Sequence, residues 1–157
     1  YLLGNHPSFV TIVSRGSFFG YTSIDQQEGK VDNTKRDFLN RICMSLAGRA
    51  AEVIVFGEQG INTGIGGDIK QATYEAKALV CYYGMDKYLY TTRAIENDES
   101  IPPAMLERID AILHEQYERA LKLLSDNRDK LEALSQALIK KKSLTADECE
   151  KIIANLK

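Results

Sequence analysis

The side chains able to do chemistry in this sequence are few and far apart, and one of them stands out by its setting. Asp68 follows a glycine-rich run, Gly64, Gly66 and Gly67, at the point where a helical pattern begins. Glycine tolerates positive φ and close backbone approach, so residues 61–73 can turn sharply and deliver Asp68 to a helix N-terminus. Two roles suit a carboxylate there. It can cap the helix, accepting free N–H groups at the positive end of the dipole. It can also ligate a metal ion, which requires donors from elsewhere. A hydrolytic zinc site needs two or three imidazole or carboxylate ligands, an open position for water and a nearby base. The chain has 2 histidines, His6 and His114, in neither an HxxxH nor an HExxH arrangement. His6 precedes Pro7 and reads as a loop histidine, while His114 lies beside an apolar stripe, one turn from Glu118, and reads as a solvated pair. No Ser/His/Asp or Cys/His grouping has workable spacing. The glycines before Asp68 do not lead to the lysine of a phosphate-binding loop. The residues alone therefore supply a suggestive aspartate, no catalytic group and no cofactor-binding motif.

The elements that must position Asp68 are mostly helical. Residues 1–3 read as a last helical turn stopped by Gly4, Asn5 and Pro7. Two β-like runs follow, residues 9–13 and 18–24, joined by a turn at Arg15, Gly16 and Ser17; Gly20 inside the second hints at a bulge or a close neighbour. Two strands are marginal alone, so this ribbon must pack on helices. After a polar loop containing Gly29, Thr34 caps a helix running to about Phe56, with Phe38, Leu39, Ile42, Leu46, Val53 and Ile54 at helical spacing. Gly48 in its middle costs about 1 kcal/mol relative to Ala, which points to close contact with a neighbour, and Gly57 ends the helix. Asp68 opens the next helix, whose stripe is Ile69, Ala72, Ala76, Leu79, Val80 and Tyr83, stopped by Gly84. Residues 85–101 look irregular, with the acidic cluster Glu96, Asp98 and Glu99. Pro102 and Pro103 start a long helix carrying Met105, Ile109, Ile112, Leu113, Tyr117, Ala120 and Leu124 on one face. A shorter helix carries Leu131, Leu134, Leu138 and Ile139, and a last one, capped by Thr145, carries Ile152, Ile153 and Leu156. The expected fold is mainly α, multihelical, with a small antiparallel β ribbon near the N-terminus.

At 157 residues the chain fits a single domain, residues 1–157. Its formal net charge of −2 leaves no basic excess to neutralise phosphates, which argues against a nucleic-acid partner. The basic run Lys140–Lys142 closes a helix, where cations suit the dipole. Cys43, Cys81 and Cys149 form no CxxC pair and read as small packing residues. No stretch reaches the length of a membrane span.

Four phrases go further together than any does alone: FVTIVSRG…GYT (residues 9–22), LAGRAAEVIVFGE (46–58), NTGIGGDIKQAT (62–73) and YYGMD (82–86). In order and spacing they resemble the peptidase domain of the FtsH family, membrane-anchored ATP-dependent zinc metalloproteases, and the tail resembles the family's C-terminal helices. The resemblance covers nearly the whole chain. It implies a zinc ion held by two histidines of an HExxH helix and by an aspartate on a Thr-Gly loop, whose matching position is Asp68. Two departures are visible: Gly66 and Gly67 replace the common Ser-Asn, and Ser14 replaces the proline of the Pro-Arg-Gly turn. Neither removes a ligating group.

By this resemblance the HExxH helix belongs immediately before Tyr1, outside the chain, so the piece in hand is expected to be the C-terminal part of a zinc metallopeptidase domain and catalytically silent alone. The intact protein is expected to be an ATP-dependent endopeptidase acting on unfolded or membrane proteins. Zinc would polarise the scissile carbonyl and activate water, with an upstream glutamate as base. ATP would act only through an upstream module, the assembly would be a homo-hexamer, and an upstream anchor would hold it at the cytoplasmic face of a membrane or the equivalent organelle interior. Glu52, in the GRAAE phrase, reads either as an acceptor orienting a metal-bound histidine or as a plain helix carboxylate. The segment 18–22 resembles the family's cleft-side strand, where substrate could pair main chain to main chain, or is an ordinary strand covering the core. The rival reading is a degenerate, non-catalytic relative serving as a helical assembly or adaptor module.

Overall fold

A computed structural model describes residues 1–14, 20–24, 32–89 and 101–156. In chain order these form strands β1 (Pro7–Thr11) and β2 (Tyr21–Ile24), helices α1 (Lys35–Phe56), α2 (Gly66–Lys77), α3 (Pro103–Ser125) and α4 (Arg128–Lys141), strand β3 (Ser143–Thr145) and helix α5 (Ala146–Ala154). The fold is mainly α with a small antiparallel sheet, as expected. The turn at residues 15–17, Phe18, Gly29 and the acidic cluster 96–99 lie outside the described residues. Contacts divide the chain into two compact units, one spanning Val31–Ser125 and one made of Tyr1–Lys30 with Asp126–Lys157.

In the first of these units, α1 begins where a capping box dictates. The Thr34 hydroxyl accepts from the Asp37 N–H at 3.3 Å and the Asp37 carboxylate accepts from the Thr34 N–H at 2.8 Å, which satisfies two otherwise free donors of the first turn. Gly57, at φ 74°, ends the helix and donates its N–H to the Val53 carbonyl. Phe38, Ile42 and Leu46, four residues apart, form the buried stripe of α1 and meet Ala72 and Ala76 of α2 and Met105, Ile109 and Ile112 of α3. Ile42, Leu79, Met105 and Ile112 are fully buried, so truncating any of them to Ala costs about 2–5 kcal/mol.

Two details of α2 differ from the periodic expectation. A single tight turn, Thr63–Ile65, precedes it, so the helix begins at Gly66 and not at Asp68. It then widens into a π turn, Ala78–Tyr82, closed by the Tyr83 N–H donating to the Ala78 carbonyl at 2.9 Å. The extra residue in that turn shifts the phase of the helix. Tyr83, assigned to the buried stripe by a 3.6-residue period, is therefore turned out to 52% exposure, and Cys81 is buried in its place. Gly84, at φ 58°, stops the segment as expected. The long helix α3 starts at Pro103, with Pro102 supplying the carbonyl that caps the first turn. Its buried side includes Gln116, which accepts from Arg119, itself donating to Asn40 of α1.

The other unit holds the sheet, ordered β2-β1-β3. The expected ribbon is present, with Val10 opposite Thr22 and Thr11 opposite Tyr21. β3 adds a third strand, with Phe9 opposite Thr145 and Val10 opposite Leu144. A three-residue strand has too few residues to show alternation, so only Thr145 was legible there. That residue does cap α5, in a capping box with Glu148. Gly20 earns its place by crowding: a Cβ there would stand 2.6 Å from the Thr11 carbonyl oxygen. Thr11, Leu144 and Cys149 are buried in this unit. The three cysteines are buried and none is in a disulfide, as expected of packing residues. The basic run ends α4 as expected, with Lys141 donating to Glu148 at 2.6 Å. Among the described residues no helix is long and apolar enough to cross a membrane.

Candidate metal centre

The carboxylate singled out in the sequence sits in the first turn of α2, three residues into the helix, and does not cap it; Ile65 occupies the cap position. Asp68 is exposed and its carboxylate has no hydrogen-bond or ion-pair partner among the described residues. The capping role is thus not the one the geometry gives it. A negative group in the first turn still suits the helix dipole, and its oxygens remain free to engage something else. Gly66 has helical dihedrals, and neither it nor Gly67 is at positive φ or has an atom within 4 Å of where a Cβ would stand. Their contribution is an unobstructed approach to the helix end and not a left-handed turn.

Across from Asp68 runs the small-residue stretch of α1. A Cβ built on Gly48 would lie 3.5 Å from Asp68 Oδ2, an ordinary van der Waals distance. The close approach expected at Gly48 is therefore looser than its helix cost implied, and the neighbour it faces is the candidate ligand itself. One turn further along α1, Glu52 uses both carboxylate oxygens on Asn62: Oε2 accepts from the Asn62 backbone N–H at 3.2 Å and Oε1 accepts from the Asn62 side-chain amide. Asn62 Oδ1 in turn accepts from the Gly64 N–H at 2.7 Å. At Gly64 a Cβ would stand 2.8 Å from Asn62 Oδ1, so another residue there would push the amide aside. Asn62 escaped the sequence reading, although an Asn two residues before a Gly is the signature of a side-chain-closed turn.

The remaining candidates stand elsewhere. His6 is exposed and 3.7 Å from Glu150, and His114 is exposed and pairs with Asp110 one turn earlier in place of Glu118. A cavity of about 460 Å³, lined by Phe38, Arg41, Tyr74, Glu75, Tyr82 and Tyr83, follows the other half of α2; Glu75 there is held by Arg41 at 3.1 Å and by Gln71 at 3.1 Å. Asp86, in the YYGMD phrase, accepts from Arg108 and Lys35, which hold its carboxyl well below the usual range. No group of three His, Cys, Asp or Glu side chains able to hold a metal occurs among the described residues. Asp68 fits a zinc ion in kind, as an open carboxylate oxygen donor. In number it is one ligand of a set.

Comparison with known proteins places the chain in a class of peptidases. Residues 5–152 match peptidase family M41, and the chain belongs to that family. Among its relatives, the ATP-dependent zinc metalloprotease FtsH of Bacillus subtilis (strain 168) is 34% identical over 161 residues, covering 92% of this chain and 25% of the relative. The protein of the same name from Mesoplasma florum is 35% identical, covering 94% of this chain and 24% of the relative. That from Chloroflexus aggregans is 33% identical, covering 94% and 25%. The chain thus spans about a quarter of the length of these relatives.

Proposed function

We propose that this chain is the C-terminal part of the proteolytic domain of an ATP-dependent zinc endopeptidase and that Asp68 contributes one ligand to its zinc. The observation that carries the reading is the open state of Asp68: an exposed carboxylate without a partner among the described residues, just after a turn tied to α1, in a member of a peptidase family. The relatives' names support zinc and ATP dependence for the intact protein and favour an enzyme over a non-catalytic adaptor. Zinc, when bound, supplies a Lewis acid for peptide hydrolysis, with its other ligands contributed from outside the described residues.

The roles of the chain's own residues follow from the geometry. α1 and α2 hold the Asp68 carboxylate beside Gly48, and β2 offers a sheet edge. Within the described residues β2 pairs only with β1, so its outer N–H and C=O groups suit an extended, unfolded polypeptide adding as a further strand. Oligomeric, hexameric assembly, an upstream ATPase module and attachment at the cytoplasmic face of a membrane or the equivalent organelle interior belong to the same proposal. The test is Asp68→Asn in the full-length protein, with zinc affinity read by competition against a chromophoric chelator. Affinity should fall at least about tenfold, as for loss of an inner ligand, with an unchanged far-UV spectrum. Retention of wild-type zinc affinity by the folded variant would falsify the ligand assignment.

A further inference from the structure

We infer that Glu52 and Asn62 form a latch that positions Asp68, and that Glu52 acts through the loop and not on a metal-bound imidazole. The chain of contacts is continuous. Both oxygens of Glu52, on α1, receive N–H groups of Asn62, one from its backbone and one from its amide. The Asn62 amide is thereby oriented with Oδ1 toward the Gly64 N–H, which donates to it at 2.7 Å. That bond closes the turn Thr63–Ile65, whose next N–H, on Gly66, returns to the Thr63 carbonyl and starts α2. Asp68 follows two residues later in the first helical turn. The carboxylate fixes the amide's orientation, the amide fixes the turn, and the turn sets where the helix begins.

The residue types are those the job requires. A carboxylate is acceptor-only and can take two N–H groups at once, and Asn alone offers an amide donor to Glu52 together with a short carbonyl reaching two residues forward. Gly64 leaves this approach uncrowded, a Cβ there standing 2.8 Å from Asn62 Oδ1. The rest of the segment ahead of Ile69, which packs against the core, is weakly held: Gly66 and Gly67 have no neighbour at their Cβ positions, and Asp68 has no partner among the described residues. A mobile carboxylate makes a weak ligand because its ordering is charged against binding. The consequence for metal binding rests on the reading of Asp68 given above; the latch itself does not.

The experiment uses hydrogen exchange by NMR or mass spectrometry on the full-length protein, with zinc affinity measured in parallel. Glu52→Ala should speed exchange of the Gly64 and Gly66 amides by about tenfold, the worth of one lost hydrogen bond, while exchange at Ala72 and Ala76 in the core of α2 is unchanged. Glu52→Gln, which keeps one acceptor, should fall between. Gly64→Ala perturbs the latch from the far side, its Cβ crowding Asn62 Oδ1, and should give the Glu52→Ala pattern at residues 64 and 66, so a folding failure in one variant leaves the other to decide. Zinc affinity should fall about 10–100-fold in Glu52→Ala, as for loss of a group that orients a ligand. Unchanged exchange at Gly64 and Gly66 in Glu52→Ala overturns the latch. Faster exchange with unchanged zinc affinity overturns its positioning role if Asp68→Asn weakens zinc. If Asp68→Asn also leaves zinc unaffected, the ligand assignment fails while the faster exchange upholds the latch.

Discussion

Replacing Asp86 by Asn should cost about 2 kcal/mol at neutral pH, and the size of that loss can be worked from its surroundings. The Asp86 side chain is 6% exposed and accepts from Arg108 Nε at 2.6 Å, Arg108 Nη2 at 3.3 Å and Lys35 Nζ at 2.7 Å. It therefore ties the loop after α2 to the start of α1 and to α3. Stripping a buried charge of its only partner costs about 3–5 kcal/mol. Neither cation is stranded to that degree here. Arg108 keeps Glu115 at 2.7 Å, and Lys35 is 46% exposed and returns to water, which places the loss near the lower value. The Arg108 hydrogen bonds, followed by that of Lys35, hold the carboxyl well below the usual range against the opposing effect of burial. A depressed carboxyl contributes its full stability above the unfolded value of about 4 and loses it progressively as pH falls further. Urea denaturation followed by circular dichroism should thus show a gap between wild type and Asp86→Asn that is constant from pH 7 to about 5 and narrows steadily below about 4. A gap under about 0.5 kcal/mol, the worth of an exposed ion pair, or one independent of pH down to about 2, would refute the reasoning.

Two glycines give opposite expectations. Gly48→Ala should stabilise the protein by roughly 0.5–1 kcal/mol in the same urea assay, because helix α1 gains propensity and the new Cβ finds only Asp68 Oδ2, at 3.5 Å. Gly20→Ala should destabilise by about 1–3 kcal/mol, since its Cβ would stand 2.6 Å from a backbone oxygen that the sheet holds in place; a neutral result would show that β2 can shift away from β1.

The helical half of the fold was legible because its signals are local and redundant. Thr34 and Thr145 open helices by capping boxes, Gly57 and Gly84 stop them at positive φ, Pro103 starts α3, and the stripe 38-42-46 repeats along α1. The departures share a cause: they depend on register between elements or on a break in periodicity. The π turn has no marker among Ala78–Tyr82, so the face of Tyr83 was misassigned, and β3 exists only because Phe9, Val10 and Thr11 are there to pair with it. At the candidate site, Asp68 was found by type and position. Its freedom from capping duty was not, because the cap moved to Ile65 when the tight turn Thr63–Ile65 formed ahead of it. That turn depends on Glu52, ten residues upstream of Asn62, a pairing no local pattern displays.

The sheet has a consequence for synthesis. β1 closes against β3 through contacts such as that of the Thr11 hydroxyl with the Lys142 carbonyl, 131 residues apart. A ribosome adding about 5–20 residues per second needs on the order of ten seconds to deliver that second partner. Meanwhile β1 has β2 as its neighbour in the sheet, and two strands are marginal in water, whereas α1, α2 and α3 can pack as soon as residue 125 has emerged. The nascent chain thus carries an incomplete sheet for that interval, and it is then that β1 is open to pairing with a wrong strand.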